Sequence, residues 1–287
     1  MLFFIRIFSL FPLSVLYFLA DYVIYPLVRY VVRYRLQLVR KNIRLSFPEK
    51  SEMERDAIIN AFYHHFADIL VELIYGYRVS NEEMRARVVF DNVDMLEDLA
   101  RKKHGVIVYL GHMCNWEWLA DLNKQFVDQS IIEYNVYRKQ KSANADKAIL
   151  QLRSKRGGEC VEKNMLLRKL VQLRHVDHPF VIGLIADQKP SRRNAHTWTT
   201  FLNQDTAFLD GGEVLARKFD LGVVYANIIS PKRGYYRIHF EVITDDPQSM
   251  PENEITLAYA RMIETNIRQQ PERWLWTHNR WKHSRQD

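Results

Sequence analysis

Apolar positions crowd the start of the chain without any alternation. Across residues 1–28 Leu, Phe, Ile, Val and Tyr prevail, and between Arg6 and Arg29 the only charge is Asp21. About 20 apolar residues suffice to cross a bilayer core, so this stretch predicts a membrane helix, spanning or lying in the interface. Pro12 and Pro26 interrupt it. Phe18 stands two positions before Ala20, so no small-x-small cleavage site follows and a removed signal peptide is disfavoured.

Beyond Phe47-Pro48 the pattern turns periodic. Ser51 with Glu54 has the form of a capping box. Ile58, Ile59, Phe62, Phe66, Ile69, Leu70, Leu73 and Ile74 then recur at three-four spacing, as in an amphipathic helix. Gly105 to Leu110 is a continuous apolar, β-branched run, which predicts a buried strand. Strand-type runs recur at 131–137, 180–186, 223–229 and 235–243, with Gly234 at the last turn. Helical patterns fill 94–103, 118–127, 142–155, 164–174, 210–219 and 255–268. Strands alternating with helices predict an α/β fold, a largely parallel mixed sheet covered by helices on both faces. The expected organisation is a membrane segment over 1–30 and one domain over 31–287, whose first part, 31–78, is basic and helical.

Charge sharpens this picture. The 287 residues carry 41 Lys and Arg against 34 Asp and Glu, a net +7. That excess predicts a polyanionic partner: nucleic acid, anionic lipid or a phosphorylated substrate. Arg29, Arg33, Arg35, Arg40, Lys41 and Arg44 follow the apolar segment with no acid until Glu49. Beside a membrane helix such a run reads as a contact with anionic headgroups, and it sets the downstream chain in the cytoplasm. The cysteines, Cys114 and Cys160, form no C-x-x-C pair. His64 and His65 lack a further ligand at suitable spacing, so no metal role is assigned to them. The tail from Trp274 to Lys282 interleaves aromatics with bases. Edge packing explains that composition, and so does a second reading, a membrane-tethered protein that binds nucleic acid or anionic lipid without catalysis.

The chemistry concentrates at Gly111-His112-Met113-Cys114-Asn115-Trp116-Glu117. His112 sits where a buried strand empties into a helix, the usual place for a site in an open α/β sheet. Glu117, five residues on, can return to one imidazole nitrogen and leave the other for a substrate, an arrangement suited to a general base. No Ser nucleophile lies beside it, and Cys114 need not be aimed at His112, so direct attack by a substrate hydroxyl is the simplest route. Arg138 and Asp187 also fall at carboxyl ends of predicted strands.

The His-x4-Glu stretch resembles the motif of the lysophospholipid and glycerophosphate acyltransferase superfamily. Its Glu, preceded and followed by Trp, is similar to the lipid A biosynthesis (lauroyl/myristoyl) acyltransferase branch. Tyr34-Arg35, Asn42, Phe47-Pro48, Tyr137-Arg138, Asp187-Gln188 and Trp276 to Lys282 extend the likeness along the chain. The resemblance implies a glycerophosphate acyltransferase-like fold and no metal or bound cofactor. It implies transfer of a fatty acyl chain from acyl carrier protein to a hydroxyl of a lipid A precursor, at the cytoplasmic face of the bacterial inner membrane. His112 would be the base and Glu117 its orienting carboxylate. The Asn115 side chain and the backbone N–H groups of residues 114–116 would serve the oxyanion. Arg138, Asp187, Lys189, Arg192, Arg193 and Arg280 would bind the anionic lipid acceptor. Asn279 and Asp187-Gln188-Lys189 depart from the family pattern where headgroup contacts are expected. An aminolipid or glycerophospholipid acceptor therefore stays open.

Overall fold

The computed structural model describes residues 7–140, 142–282 and 285. Its first helix, α1 (Leu13–Leu19), runs on through π-helical turns at Ala20–Ile24 and Leu27–Val31. Pro26 lies between those turns; it has no N–H for a regular helical bond, and the wider turns accommodate the loss. α2 (Leu36–Ser46) occupies the basic run, and α3 (Glu52–Tyr75) opens with the Ser51–Glu54 capping box. The expected stripe of α3 is buried at Ile59, Phe62 and Ile69, but the helix also buries His65, Asp68 and Glu72.

The N-terminal helix lies along α3. Leu13, Leu16 and Ala20 pack on Ala67 and Val71. Arg233 donates to both oxygens of Asp21, at 2.8 and 2.7 Å, and also binds Asp68. The opposite face leaves Leu10, Phe18, Val23 and Val31 exposed. The basic run divides between two tasks. Arg29 is buried and donates to Asn60, and Arg35 donates to the Thr277 carbonyl. Arg33, Arg40, Lys41 and Arg44 remain on the surface.

Further helices are α4 (Asn81–Arg87), α5 (Val93–Lys103), α6 (Ala143–Ser154), α7 (Leu166–Leu173), α8 (Gly211–Phe219) and α9 (Glu254–Gln269). The strands are β1 (Val88–Asp91), β2 (Gly105–Leu110), β3 (Ile132–Tyr137), β4 (Glu159–Glu162), β5 (Phe180–Ile185), β6 (Thr197–Phe201), β7 (Gln204–Phe208), β8 (Gly222–Lys232) and β9 (Tyr235–Thr244). Seven of them form one sheet in the order β1-β9-β8-β2-β5-β3-β4. From β8 to β4 every neighbour is parallel; β9 runs antiparallel to β8 and carries β1 in parallel at the edge. The α/β architecture and the covered, mostly parallel sheet match the expectation from pattern. β2 is buried at every position, as an apolar run without alternation requires.

Several elements escape the pattern. β1 and β4 are four residues each, too short for alternation to register. The β6–β7 hairpin turns at Leu202-Asn203, both at positive φ, without the Asn-Gly pair that usually announces such a turn. The helix expected over 118–127 is a 3-10 helix at Trp116–Lys124.

Candidate active site

The β2–β5 register builds the site. Gly105 lies opposite Phe180 and Leu110 opposite Ile185. Carried two residues past the strand ends, that offset brings His112 beside Asp187. Gly111 makes the approach possible, since a Cβ there would collide with the Ile263 side chain of α9.

Asp187 is 2% exposed and holds His112 at two points. Its Oδ2 accepts the His112 backbone N–H at 2.8 Å, and its Oδ1 lies 2.6 Å from Nδ1. Oδ2 also accepts from the Trp274 indole at 2.7 Å. Burial pushes the Asp187 carboxyl up, but the His112 charge and these hydrogen bonds outweigh it and draw it down to about 2. An ionised carboxylate only accepts, so Nδ1 is the donor and Nε2 carries the free lone pair. The amide of Gln188 meets that lone pair, with Nε2 of the glutamine 3.1 Å from Nε2 of the imidazole. Trp116 stands edge-on to the ring, with centroids 4.8 Å apart.

The expected His112–Glu117 hydrogen bond is not what the structure displays. Glu117 accepts two hydrogen bonds from Arg153 of α6, at 2.8 and 2.7 Å. Burial raises its carboxyl, yet the Arg153 charge and hydrogen bonds win and lower it, with a lesser contribution from His112. The short spacing in sequence suggested the nearer acid. The parallel register instead supplies one from 75 residues away, and the 3-10 turn aims Glu117 at the helix on the far side.

The oxyanion expectations change for a similar reason. The Cys114 N–H donates to the Arg273 carbonyl, and Asn115 Nδ2 donates to Glu72 of α3 at 2.7 Å. Cys114 is fully buried and burial pushes its thiol far above the usual range, which leaves it inert as a nucleophile. Met113 pairs with Trp274 in an isolated antiparallel bridge, and the Leu275 N–H donates to the His112 carbonyl. The C-terminal tail is thus tied by its backbone to the loop that follows β2. Trp274 and Trp276 are buried there, so they offer no stacking platform to a nucleic acid.

The basic positions separate. Arg138 follows β3, beyond β5 from His112, and is exposed, as are Arg192 and Arg193. Lys189 is half-buried, and burial followed by the nearby Lys282 lowers its ammonium. Arg280 is buried: it donates to the Ala207 carbonyl at 2.5 Å, lies over the Phe208 ring, and is drawn down to about 10 by desolvation. That bond braces the β6–β7 hairpin against the tail. Among the described residues no three His, Cys, Asp or Glu side chains converge as metal ligands. Arg153, Trp274 and Glu72 escape sequence reasoning, because nothing local marks a residue whose partner is brought by a distant element. Gln188 lay in a motif position but carried no role.

A half-buried histidine is oriented by a buried carboxylate at the carboxyl edge of a parallel sheet. Such a site is equipped to deprotonate a bound hydroxyl. The chain belongs to the bacterial lipid A biosynthesis acyltransferase family, whose model matches residues 1–283. It is similar to the lipid A biosynthesis palmitoleoyltransferase of Escherichia coli strain K12, with 23% identity over 275 residues, covering 94% of this chain and 86% of that protein. It is equally similar to a lipid A biosynthesis acyltransferase of Shigella flexneri, with the same identity and coverage.

Proposed function

We propose that this protein transfers a fatty acyl chain from the thioester of acyl carrier protein to a hydroxyl of a lipid A precursor, at the cytoplasmic face of the bacterial inner membrane. The observation that carries this reading is the His112–Asp187 pair, with Nδ1 held by the carboxylate and Nε2 left to the Gln188 amide, in a chain of this family. The acceptor hydroxyl takes the place of the Gln188 amide against Nε2 and gives its proton to that nitrogen as its oxygen bonds the thioester carbon. Asp187 holds the tautomer and stabilises the imidazolium. The displaced Gln188 amide stays beside the reacting carbon and donates to the oxyanion. Collapse breaks the carbon–sulfur bond, and the imidazolium proton passes to the departing thiolate.

The exposed Arg33, Arg40, Lys41 and Arg44 follow an apolar helix face, which supports docking on an anionic leaflet with the helix in the interface. Packing along α3 and the Asp21–Arg233 pair favour that posture over a span. Arg138, Lys189, Arg192 and Arg193 lie near the carboxyl edge of the sheet, as binding of an anionic headgroup requires.

The test is incubation of the purified protein with labelled acyl carrier protein and, in parallel, a lipid A precursor, an aminolipid and a glycerophospholipid. An ester-linked label on the lipid A precursor, lost in His112→Ala, is expected. Labelling of another acceptor alone would overturn the acceptor assignment, and transfer by folded His112→Ala would overturn the mechanism.

A further inference from the structure

Among the described residues Glu72 is the most enclosed carboxylate outside the His112–Asp187 pair. It sits near the end of α3, 0% exposed, and its bonded donors are neutral. Tyr17 of α1 donates its hydroxyl to Oε1 at 2.7 Å. Tyr236 of β9 and Asn115 of the catalytic loop donate to Oε2 at 2.6 and 2.7 Å. Burial pushes the Glu72 carboxyl up against the pull of these donors, and packing alone would be served as well by an apolar side chain. What Glu72 supplies is convergence: three elements far apart in sequence meet on its two side-chain oxygens.

The loop it grips needs gripping. Cys114, next to Asn115 and two residues from His112, holds φ at +52°, a left-handed conformation that a residue with a Cβ adopts at a cost of about 1–3 kcal/mol. Such a conformation persists only when both sides are constrained. On one side Cys114 donates its N–H to Arg273 of the tail. On the other, Asn115 is tied to Glu72. Tyr17 reaches the same carboxylate from the N-terminal helix, its ring under the Arg233 guanidinium that also binds Asp21. Seating of that helix and shape of the loop therefore share one atom group.

We propose that Glu72 is a positioning residue for His112, and that through Tyr17 it makes the catalytic loop depend on the seated N-terminal helix. The inference rests on the reading of His112 as the base. Glu72 touches no substrate; it acts by holding Asn115 and so the turn that presents the imidazole.

Cys114 provides a direct readout, since it is wholly buried on that loop. In full-length protein carrying Cys160→Ser, it is the remaining thiol. Tyr17→Phe removes one hydroxyl and keeps the ring; Glu72→Gln keeps the shape and puts an amide NH2 where one oxygen accepts. Each variant is assayed for kcat, for KM with the lipid acceptor, and for native-state alkylation of Cys114 by a maleimide, with cooperative unfolding checked separately. Both are expected to lower kcat by roughly 5- to 30-fold with KM within about twofold, the scale of one buried hydrogen-bonding group left unmet. Both should also raise the Cys114 labelling rate about tenfold or more, as local opening becomes easier. Unchanged kcat, unchanged labelling, or a movement of only one of them overturns the proposal. If Glu72→Gln fails to fold, Tyr17→Phe alone decides. Activity in folded His112→Ala would fault the reading of the site; an inactive His112→Ala beside wild-type Tyr17→Phe faults this inference alone.

Discussion

Replacing Asp187 with Asn changes one atom and tests the central pair. In the protein Oδ2 accepts from the His112 N–H and from Trp274, while Oδ1 takes the Nδ1–H. An amide can keep the first pair of bonds with its oxygen. It must then present its NH2 to Nδ1, which forces the proton onto Nε2. The nitrogen that should receive the hydroxyl proton is then already protonated, and the imidazolium loses its counter-charge. Loss of a general base is worth roughly 10²–10⁴ in rate, and a wrong tautomer at an oriented histidine reaches about 10⁴ in a serine protease triad. We expect about 10³–10⁴ in kcat, or about 4–5.5 kcal/mol, with little change in KM. The assay is initial-rate transfer of labelled acyl chain at saturating acyl carrier protein and acceptor, with near-UV dichroism as the folding check. Glu117→Gln, which keeps a partner for Arg153, should lose less than about tenfold by contrast. Folded Asp187→Asn with more than a tenth of wild-type kcat, or Glu117→Gln falling as far, would refute the assignment of the orienting role. A stability signature accompanies it. The Asp187 carboxyl is depressed in the fold, from 3.8 to about 2. Its contribution, on the order of 2 kcal/mol, is full above about pH 4 and is lost as pH falls through about 2. The gap in denaturant midpoint between wild type and Asp187→Asn should close over that window.

His112→Ala should lose roughly 10²–10⁴ in rate, whereas Cys114→Ser should remain within a few-fold and trap no acyl thioester, as read by mass spectrometry of the quenched enzyme. Glu117→Ala should destabilise the fold by about 3–5 kcal/mol, because it strands a buried guanidinium; adding Arg153→Met should recover most of the loss in thermal melts. Phe18→Glu with Val23→Lys puts charge on the exposed apolar face of the N-terminal helix and should abolish flotation with anionic vesicles at high salt. Undiminished flotation would mean that this face does not enter the membrane.

Periodicity in the chain determined the α/β class, the buried strand at Gly105–Leu110, the capping box of α3 and the place of His112 at a strand end. Each follows from interactions within a few residues, or from the demand that a run with no polar alternation be covered on both faces. The family was legible for a related reason: its motifs are short and contiguous. The partner of His112 was not legible, because parallel pairing of β2 with β5 is a long-range choice that leaves no local trace. Proximity in sequence favoured Glu117; the tertiary fold gave Glu117 to Arg153 and brought Asp187 from the neighbouring strand. The tail shows the same division. Its aromatics announced burial or binding, and only the packing of Trp274 against Phe201 and Met113, and of Trp276 against Phe47, decided for burial. Arg280, an expected substrate-binding residue, is turned inward to a carbonyl. Glu72 carried no signal at all, since a carboxylate in an amphipathic helix looks solvated until Tyr17, Asn115 and Tyr236 arrive from elsewhere to enclose it. Local sequence sets which elements form; which polar groups meet inside depends on strand register and helix seating, which are settled by the whole chain at once.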